Sequence, residues 1–144
     1  MSALDTMVRV HRWILDEKRQ KLADIERFVD RMRLDLTKLD ENLAKERAIA
    51  DQSPDARLAY SSFVAAAVER RRRLLGSIEN LEREANHARD EVNEAFHELK
   101  KYETARENAD ERERKQQKKR DQLALDETGV SLYRRRNGAD GTTG

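Results

Sequence analysis

The chain has 144 residues, of which 41% are charged and only 37% are hydrophobic, and its thirty basic residues nearly balance twenty-nine acidic ones. This composition excludes a thick globular core and suits a thin seam between long helices, where about two residues in seven need burial. The net charge of +1 argues against a nucleic-acid-binding protein, which usually carries a clear basic excess.

The lack of cysteine and the lack of long apolar runs exclude further classes of protein. Without cysteine, the chain has no disulfides and no cysteine-based metal or redox chemistry. No apolar run approaches the ~20 residues that a membrane span needs, and the first residues lack the apolar stretch of a secretory signal. The sequence therefore predicts a cytoplasmic protein.

The first predicted helix covers about residues 4–50 and places apolar residues at alternating intervals of four and three. Such a 3.5-residue repeat keeps one stripe of side chains against a partner helix and predicts left-handed supercoiling. His11 and Lys18 are the polar exceptions. The stripe consists of Leu4, Val8, His11, Leu15, Lys18, Leu22, Ile25, Val29, Met32, Leu36, Leu39 and Leu43.

A turn is predicted at residues 51–53, where the apolar rhythm stops. Ser53 is a good helix N-cap, Pro54 suits the first helical position, and Asp55 brings a negative charge to the helix N-terminus. A short connection between two such stripes favours an antiparallel hairpin, in which residue i lies opposite roughly residue 104 − i.

The second predicted helix covers about residues 54–127 and repeats the 4,3 spacing as far as Tyr102. Arg71 is a polar break that sets the register. Helix-forming residues then continue without a strong apolar stripe until Leu123, which predicts a single-helix overhang, and a disordered tail is expected over 129–144. The stripe consists of Tyr60, Val64, Ala67, Arg71, Leu74, Ile78, Leu81, Ala85, Ala88, Val92, Ala95, Leu99 and Tyr102.

The predicted fold is therefore all-α: a long antiparallel two-helix coiled-coil hairpin over residues 1–128 with a single-helix C-terminal overhang. Such a rod offers no cleft that would shift the pKa of a catalytic carboxylate. The chain has no glycine-rich phosphate loop and no nucleophile elbow. His87 and His97 are ten residues apart, which is not the spacing of two metal ligands on one helix face. We expect neither an enzyme nor a bound cofactor or metal.

These features resemble the family of the flagellar export protein FliJ, a component of flagellar type III secretion. The likeness covers nearly the whole chain and includes the N-terminal heptads and the unequal helix lengths. It also includes the stretch YSSFV at residues 60–64 and the stretch KKRDQLALDE at residues 118–127.

The resemblance implies a two-stranded antiparallel coiled coil similar to the central stalk of rotary ATP synthases. The end that carries both chain termini would enter the ring of the flagellar export ATPase. A face nearer the hairpin middle would contact the cytoplasmic domain of the export gate, and unladen export chaperones would also bind. The implied location is the cytoplasm, peripheral at the inner-membrane base of the flagellum through partners only.

Carried over by position, the resemblance assigns two sets of contact residues. Some family members also use tyrosines late in the first helix for the gate contact, whereas the tyrosines of this chain lie at 60, 102 and 133. The implied gate contacts are Tyr60 and Phe63, and the implied ATPase-binding end comprises Arg9, Arg12, Trp13, Arg112, Lys115, Lys119, Asp126 and Glu127.

Other interpretations stay open from the residues alone. Tyr60 lies on the seam, where packing is its simplest role, and Phe63 and Trp13 can either cover the seam edge or meet a partner. Arg70–Arg73 spread around the helix and read as a solvated face. The alternative functions are a stalk protein of a virulence type III secretion system, a generic structural coiled coil, or a nucleic-acid-associated protein, which only the basic stretch 112–120 supports.

Overall fold

The computed structural model describes residues 2–140, with the side chains of residues 2–138. It contains two helices, α1 (Ala3–Ala50) and α2 (Pro54–Asp140), and no strand among the described residues. The two helices pack against each other, which confirms the predicted all-α helical hairpin. Within the described residues, neither helix is long and apolar enough to cross a bilayer.

The chain divides into two compact units. The hairpin unit is Arg9–Leu99, which holds most of α1, the turn and the first part of α2. Among the described residues, the terminal unit combines residues 2–8 with residues 100–140.

In the terminal unit, Ser2 and Asp5 cap the start of α1. The Asp5 amide donates a hydrogen bond to Ser2 Oγ at 3.2 Å, and the Ser2 amide donates one to Asp5 Oδ2 at 3.2 Å. This reciprocal pair is a capping box with aspartate as the acidic member. The Ser2 hydrogen bonds lower the pKa of Asp5 below its usual value.

In the hairpin unit, Ser53 caps the start of α2 as the sequence predicts. Its Oγ accepts a hydrogen bond from the Ala56 amide at 3.1 Å, and its carbonyl accepts one from the Arg57 amide at 3.1 Å. The preceding turn is closed by the Gln52 amide, which donates to the Ile49 carbonyl at 3.1 Å. Ser53 thus satisfies the amides of Ala56 and Arg57 at the start of α2, where the chain reverses.

The predicted seam is confirmed by burial. All twelve positions of the α1 stripe are buried or half-buried, as are all positions of the α2 stripe except Arg71. Burying a large aliphatic side chain stabilises the fold by about 1.5–3 kcal/mol, and alanine contributes less. Among the described residues, the buried hydrophobic side chains are Val8, Leu15, Val29, Ala50, Ala67, Ile78, Ala85, Ala88, Ala95 and Leu99.

Ion pairs across the hairpin unit report the register of the side chains. Lys18 Nζ lies 3.1 Å from Glu91 Oε2, and Arg71 Nε lies 3.1 Å from Asp40 Oδ1. Both α2 partners lie about five to seven residues farther along the chain than the expected register. The lean of helical side chains toward the N-terminus of their own helix contributes to this offset. In an antiparallel pair, both side chains lean toward lower residue numbers of their own helix. Two side chains that touch therefore belong to residues with higher numbers than the two residues whose backbones lie side by side.

In the terminal unit, the half-buried part of α2 ends at Ala109 and not at Tyr102. Arg106 and Ala109 continue the 4,3 spacing and are half-buried, and an Arg106 nitrogen lies 3.9 Å from Asp5 Oδ1. Every described residue from 110 to 138 is exposed. We call residues 110–138 the overhang. The predicted overhang is therefore present and begins several residues later than expected.

The helix also continues past the predicted end near residue 127 and reaches Asp140. This corrects the disordered tail expected over residues 129–140, while residues 141–144 lie outside the described part. Gly129 and Gly138 each cost about 1 kcal/mol in a helix interior but do not by themselves stop it. No proline follows Pro54, so no residue of this segment forces the helix to end.

Candidate partner-binding surfaces

The two implied gate contacts occupy different environments on α2 in the hairpin unit. Tyr60 is half-buried on the seam, so its ring contributes to packing between the helices. Phe63 lies at the seam edge and exposes 37% of its surface. Residues three apart on a helix lie about 60° apart around its axis, so the two rings share one side of α2. Of the two, Phe63 offers the larger accessible surface.

An uncharged window surrounds these aromatic residues. Residues 58–68 contain no charged side chain, in a chain that is 41% charged. Leu58 exposes 76% of its surface and Val68 exposes 58%. The contact residues predicted from the sequence were the aromatic pair alone, although the gap in the charge pattern already marks this window.

Three implied ATPase contacts lie on α1 in the hairpin unit. Arg9, Arg12 and Trp13 are all exposed, and Trp13 leaves 62% of its surface accessible. An indole packed flat against the neighbouring helix would expose far less. This exposure favours the interpretation of Trp13 as a partner contact, since exposed aromatic side chains are frequent anchors in interfaces.

The other implied ATPase contacts lie on the overhang, in the terminal unit. Lys115 Nζ lies 3.4 Å from Glu111 Oε1, and Arg112 donates a hydrogen bond to the Asn108 carbonyl at 3.4 Å. Both interactions stay within α2, so the charged heads remain open to solvent on one side. All five implied residues are exposed, namely Arg112, Lys115, Lys119, Asp126 and Glu127.

Large apolar side chains follow the basic part of the overhang. They were missed in part because residues beyond 129 were expected to form a tail. Asp126 and Glu127 line a shallow groove together with Leu123 and Val130. Each of the apolar residues exposes half or more of its surface: Leu123, Leu125, Val130, Leu132 and Tyr133.

Charge clusters in the hairpin unit form ion pairs between its own residues. Glu91 Oε2 accepts hydrogen bonds from Lys18 and Lys21, and these bonds, Lys18 first, hold its pKa below the ordinary value. In the arginine run, Arg72 and Arg73 pair with Glu69 on the same helix. The described residues contain no group of three His, Asp or Glu side chains placed to hold a metal ion.

A family model described as flagellar FliJ protein matches residues 1–138. This chain belongs to the FliJ family. The predicted resemblance is thereby confirmed, and membership makes the chain part of the flagellar export machinery. Neither the curated proteins nor the solved structures contain a match to it.

The FliJ-family match spans both helices and the whole overhang. It therefore includes every contact residue that the resemblance implies, from Arg9 on α1 to Glu127 on α2. It also includes the uncharged window at residues 58–68 and the exposed apolar side chains up to Tyr133.

Proposed function

We propose that this chain is a coiled-coil stalk of the flagellar type III protein export apparatus. Its overhang and the segment around Trp13 bind the export ATPase ring, and the face around Phe63 binds the cytoplasmic domain of the export gate. Export chaperones bind it as further partners. The chain works in the cytoplasm, at the inner-membrane base of the flagellum, and it carries no catalytic activity of its own.

The observation that carries this proposal is the overhang, a helix of which every described residue from 110 to 138 is exposed. An isolated helix is marginally stable in water, because most helical stability in proteins comes from packing. Leu125 and Tyr133 expose 70% and 67% of their surfaces on it. Exposed apolar side chains grouped in this way mark a surface that another protein covers.

The charges of the overhang support a protein partner with an acidic rim. Arg112, Lys115 and Lys119 precede the apolar group, and Asp126 and Glu127 lie within it. Charged groups around an apolar centre raise association rates and orient the partner, while the apolar centre supplies most of the affinity. A helix end that inserts into a protein ring would use the same combination, with charged residues to orient it and apolar residues to hold it.

The gate contact is supported by the uncharged window. Phe63 is its accessible aromatic residue, and aromatic side chains are over-represented among the residues that dominate binding energy. Because the window lacks charges, binding through it would depend little on salt.

Co-purification tests the proposal with the full chain as bait. The export ATPase and the gate cytoplasmic domain should each be retained, and ATPase activity should rise when the chain is added. Retention of neither partner would refute the proposed function. DNA binding that weakens steeply with salt would instead favour a nucleic-acid-associated protein, through the basic stretch 112–120.

A further inference from the structure

A second stripe with 4,3 spacing runs along α2 in the hairpin unit, on the side away from the seam. Its positions fall between those of the seam, and all of its members are exposed except Glu69, which keeps 44% of its side chain accessible. We call it the outer stripe. It consists of Asp55, Leu58, Ser62, Ala65, Glu69 and Arg72.

The centre of the outer stripe is small and uncharged. Ser62 and Ala65 are exposed and carry short side chains, so another helix backbone can approach closely there. Leu58, one turn earlier, exposes 76% of its surface. On a surface otherwise rich in charge, such a stretch is suited to contact with an equally uncharged helix.

The ends of the outer stripe carry opposite charges, Asp55 at one end and Arg72 at the other. In an antiparallel pair with a two-fold axis between positions 63 and 64, Asp55 of one copy meets Arg72 of the other, and Ser62 meets Ala65. In a parallel pair, Asp55 would meet Asp55 and Arg72 would meet Arg72. The charge order is thus complementary to itself in the antiparallel direction only.

The remaining pair, Leu58 opposite Glu69, is also compatible with this arrangement. Glu69 is drawn along its own helix by Arg72, at 2.8 Å, and by Arg73, at 3.5 Å. Its methylene groups are then left for Leu58 of the other copy. The Arg72 guanidinium has five N–H donors, so it can hold both Glu69 and the Asp55 carboxylate of the other copy.

We propose that the outer stripe of α2 pairs antiparallel with the outer stripe of a second copy of this chain. Such an isologous two-fold contact closes on itself and forms a dimer. The paired stretch from position 55 to position 72 is about 27 Å long. A contact of this size with small central side chains belongs to the weak, concentration-dependent class.

The pairing and the gate contact use different sides of α2, although Leu58, Ser62 and Ala65 of the outer stripe lie within the uncharged window. Tyr60 lies on the seam and Phe63 at its edge, so neither belongs to the outer stripe. The overhang lies on another part of α2. Loss of gate or ATPase binding through Phe63 or the overhang would therefore leave the pairing intact. Loss of pairing through Asp55 or Arg72, which lie outside the uncharged window, would leave both partner contacts available.

Engineered cysteines test the register, because the chain contains no cysteine of its own. Equal amounts of Ser62→Cys and Ala65→Cys protein are mixed and mildly oxidised. Mixed disulfide dimers should exceed the half share that random pairing gives. Asn93→Cys, an exposed position of α2 outside the stripe, serves as the control. Crosslinking of the mixture at only the control level would overturn the proposal.

A charge exchange tests the pairing without crosslinks. Sedimentation velocity should show dimers that increase with concentration. Asp55→Arg and Arg72→Asp should each reduce dimer formation at least ~10-fold, and the double variant should restore it, while Phe63→Ala should dimerise normally. Helicity by circular dichroism verifies that each variant is folded. A wild-type chain that stays monomeric up to about 1 mM, or a double variant that is not restored, would contradict the proposal.

Discussion

Lys18 of α1 donates a hydrogen bond to Glu91 of α2 at 3.1 Å, and Lys21 reaches the same carboxylate oxygen at 3.3 Å. Lys18 is the lysine that interrupts the apolar stripe of α1. Its side chain stays half-exposed at the seam, while that of Glu91 is only 21% exposed. A polar residue at a seam position therefore specifies the partner position across the hairpin.

Replacement of Glu91 by glutamine should lower the melting temperature of the hairpin unit. The amide keeps the shape of the side chain but removes the charge that attracts the two lysines. Thermal melts by circular dichroism in low salt and in about 1 M salt measure the effect, since salt screens ion pairs near the surface. An equal loss of melting temperature at both salt concentrations would show that the shape of the Glu91 side chain, and not its charge, stabilises the hairpin unit.

The contribution of Glu91 should also depend on pH. Hydrogen bonds from Lys18 and Lys21 lower its pKa in the folded state below the ordinary 4.5. The stabilisation is therefore fully present above about pH 4.5 and is lost as the pH falls through the folded-state pKa. The difference in stability between wild type and the Glu91→Gln variant should shrink over that acidic range. A stability difference that stays constant down to pH 2 would rule out the ionised Glu91 carboxylate as the source of the stabilisation.

Leu15 and Leu34 form a matched pair for the seam. Both lie on α1, but Leu15 is 3% exposed on the seam and Leu34 is 54% exposed off it. Leu15→Ala should cost about 2–4 kcal/mol of unfolding free energy, because it removes buried methyl groups and leaves a void. Leu34→Ala should change it by less than ~0.5 kcal/mol. Urea titrations of both variants provide the comparison, and equal costs would mean that the seam is placed wrongly.

Phe63 and Phe96 form a matched pair for the gate contact. They expose 37% and 39% of their surfaces, and both lie on α2. Phe63→Ala should leave the melting temperature nearly unchanged and weaken binding to the gate cytoplasmic domain about 10-fold, which corresponds to an ordinary interface anchor. Phe96→Ala should bind the gate domain as wild type does. Binding isotherms in which both variants behave alike would remove Phe63 from the contact.

Tyr133 tests the overhang. Tyr133→Ala should weaken binding to the export ATPase about 10-fold and leave the helicity of the chain within error, since the ring is 67% exposed. Gln116→Ala, another exposed overhang position, is the control. Pull-downs at graded ATPase concentrations separate the two variants. Tyr133→Ala protein that is retained like the control would exclude this ring from the interface.

Much of the fold could be read from the sequence because a 3.5-residue repeat places one stripe of each helix against a partner helix, and the short turn makes the two helices of this chain partners. Leu15 and Ala88 are buried where the stripes place them. The turn was visible because Ser53 and Pro54 carry the local signals of a helix start. The side-chain register was missed, since counting from the turn describes backbone levels and not the lean of long side chains such as Lys18.

The residues at which the packing between α1 and α2 ends, and the exposure of individual surface residues, were harder to predict from the sequence. Arg106 and Ala109 extend the half-buried part of α2, but neither an arginine nor an alanine marks a seam by its residue type. Gly129 suggested a break, while the residues around it keep a helix running to Asp140. For Phe63 and Trp13, the apolar stripe predicts the side of the helix on which each residue lies. It does not predict how much of a residue at the seam edge is covered by the neighbouring helix. Their exposure therefore had to come from the structure.

Hydrogen exchange of the full chain, with and without the export ATPase, tests the central claim most directly. For the chain alone, amides of residues 110–138 should exchange rapidly, because this helix has no packing partner in the structure's described part. With the ATPase bound, exchange over these residues should slow markedly, while the uncharged window at 58–68 should be unaffected. ATPase binding that leaves the exchange of residues 110–138 unchanged would contradict the account.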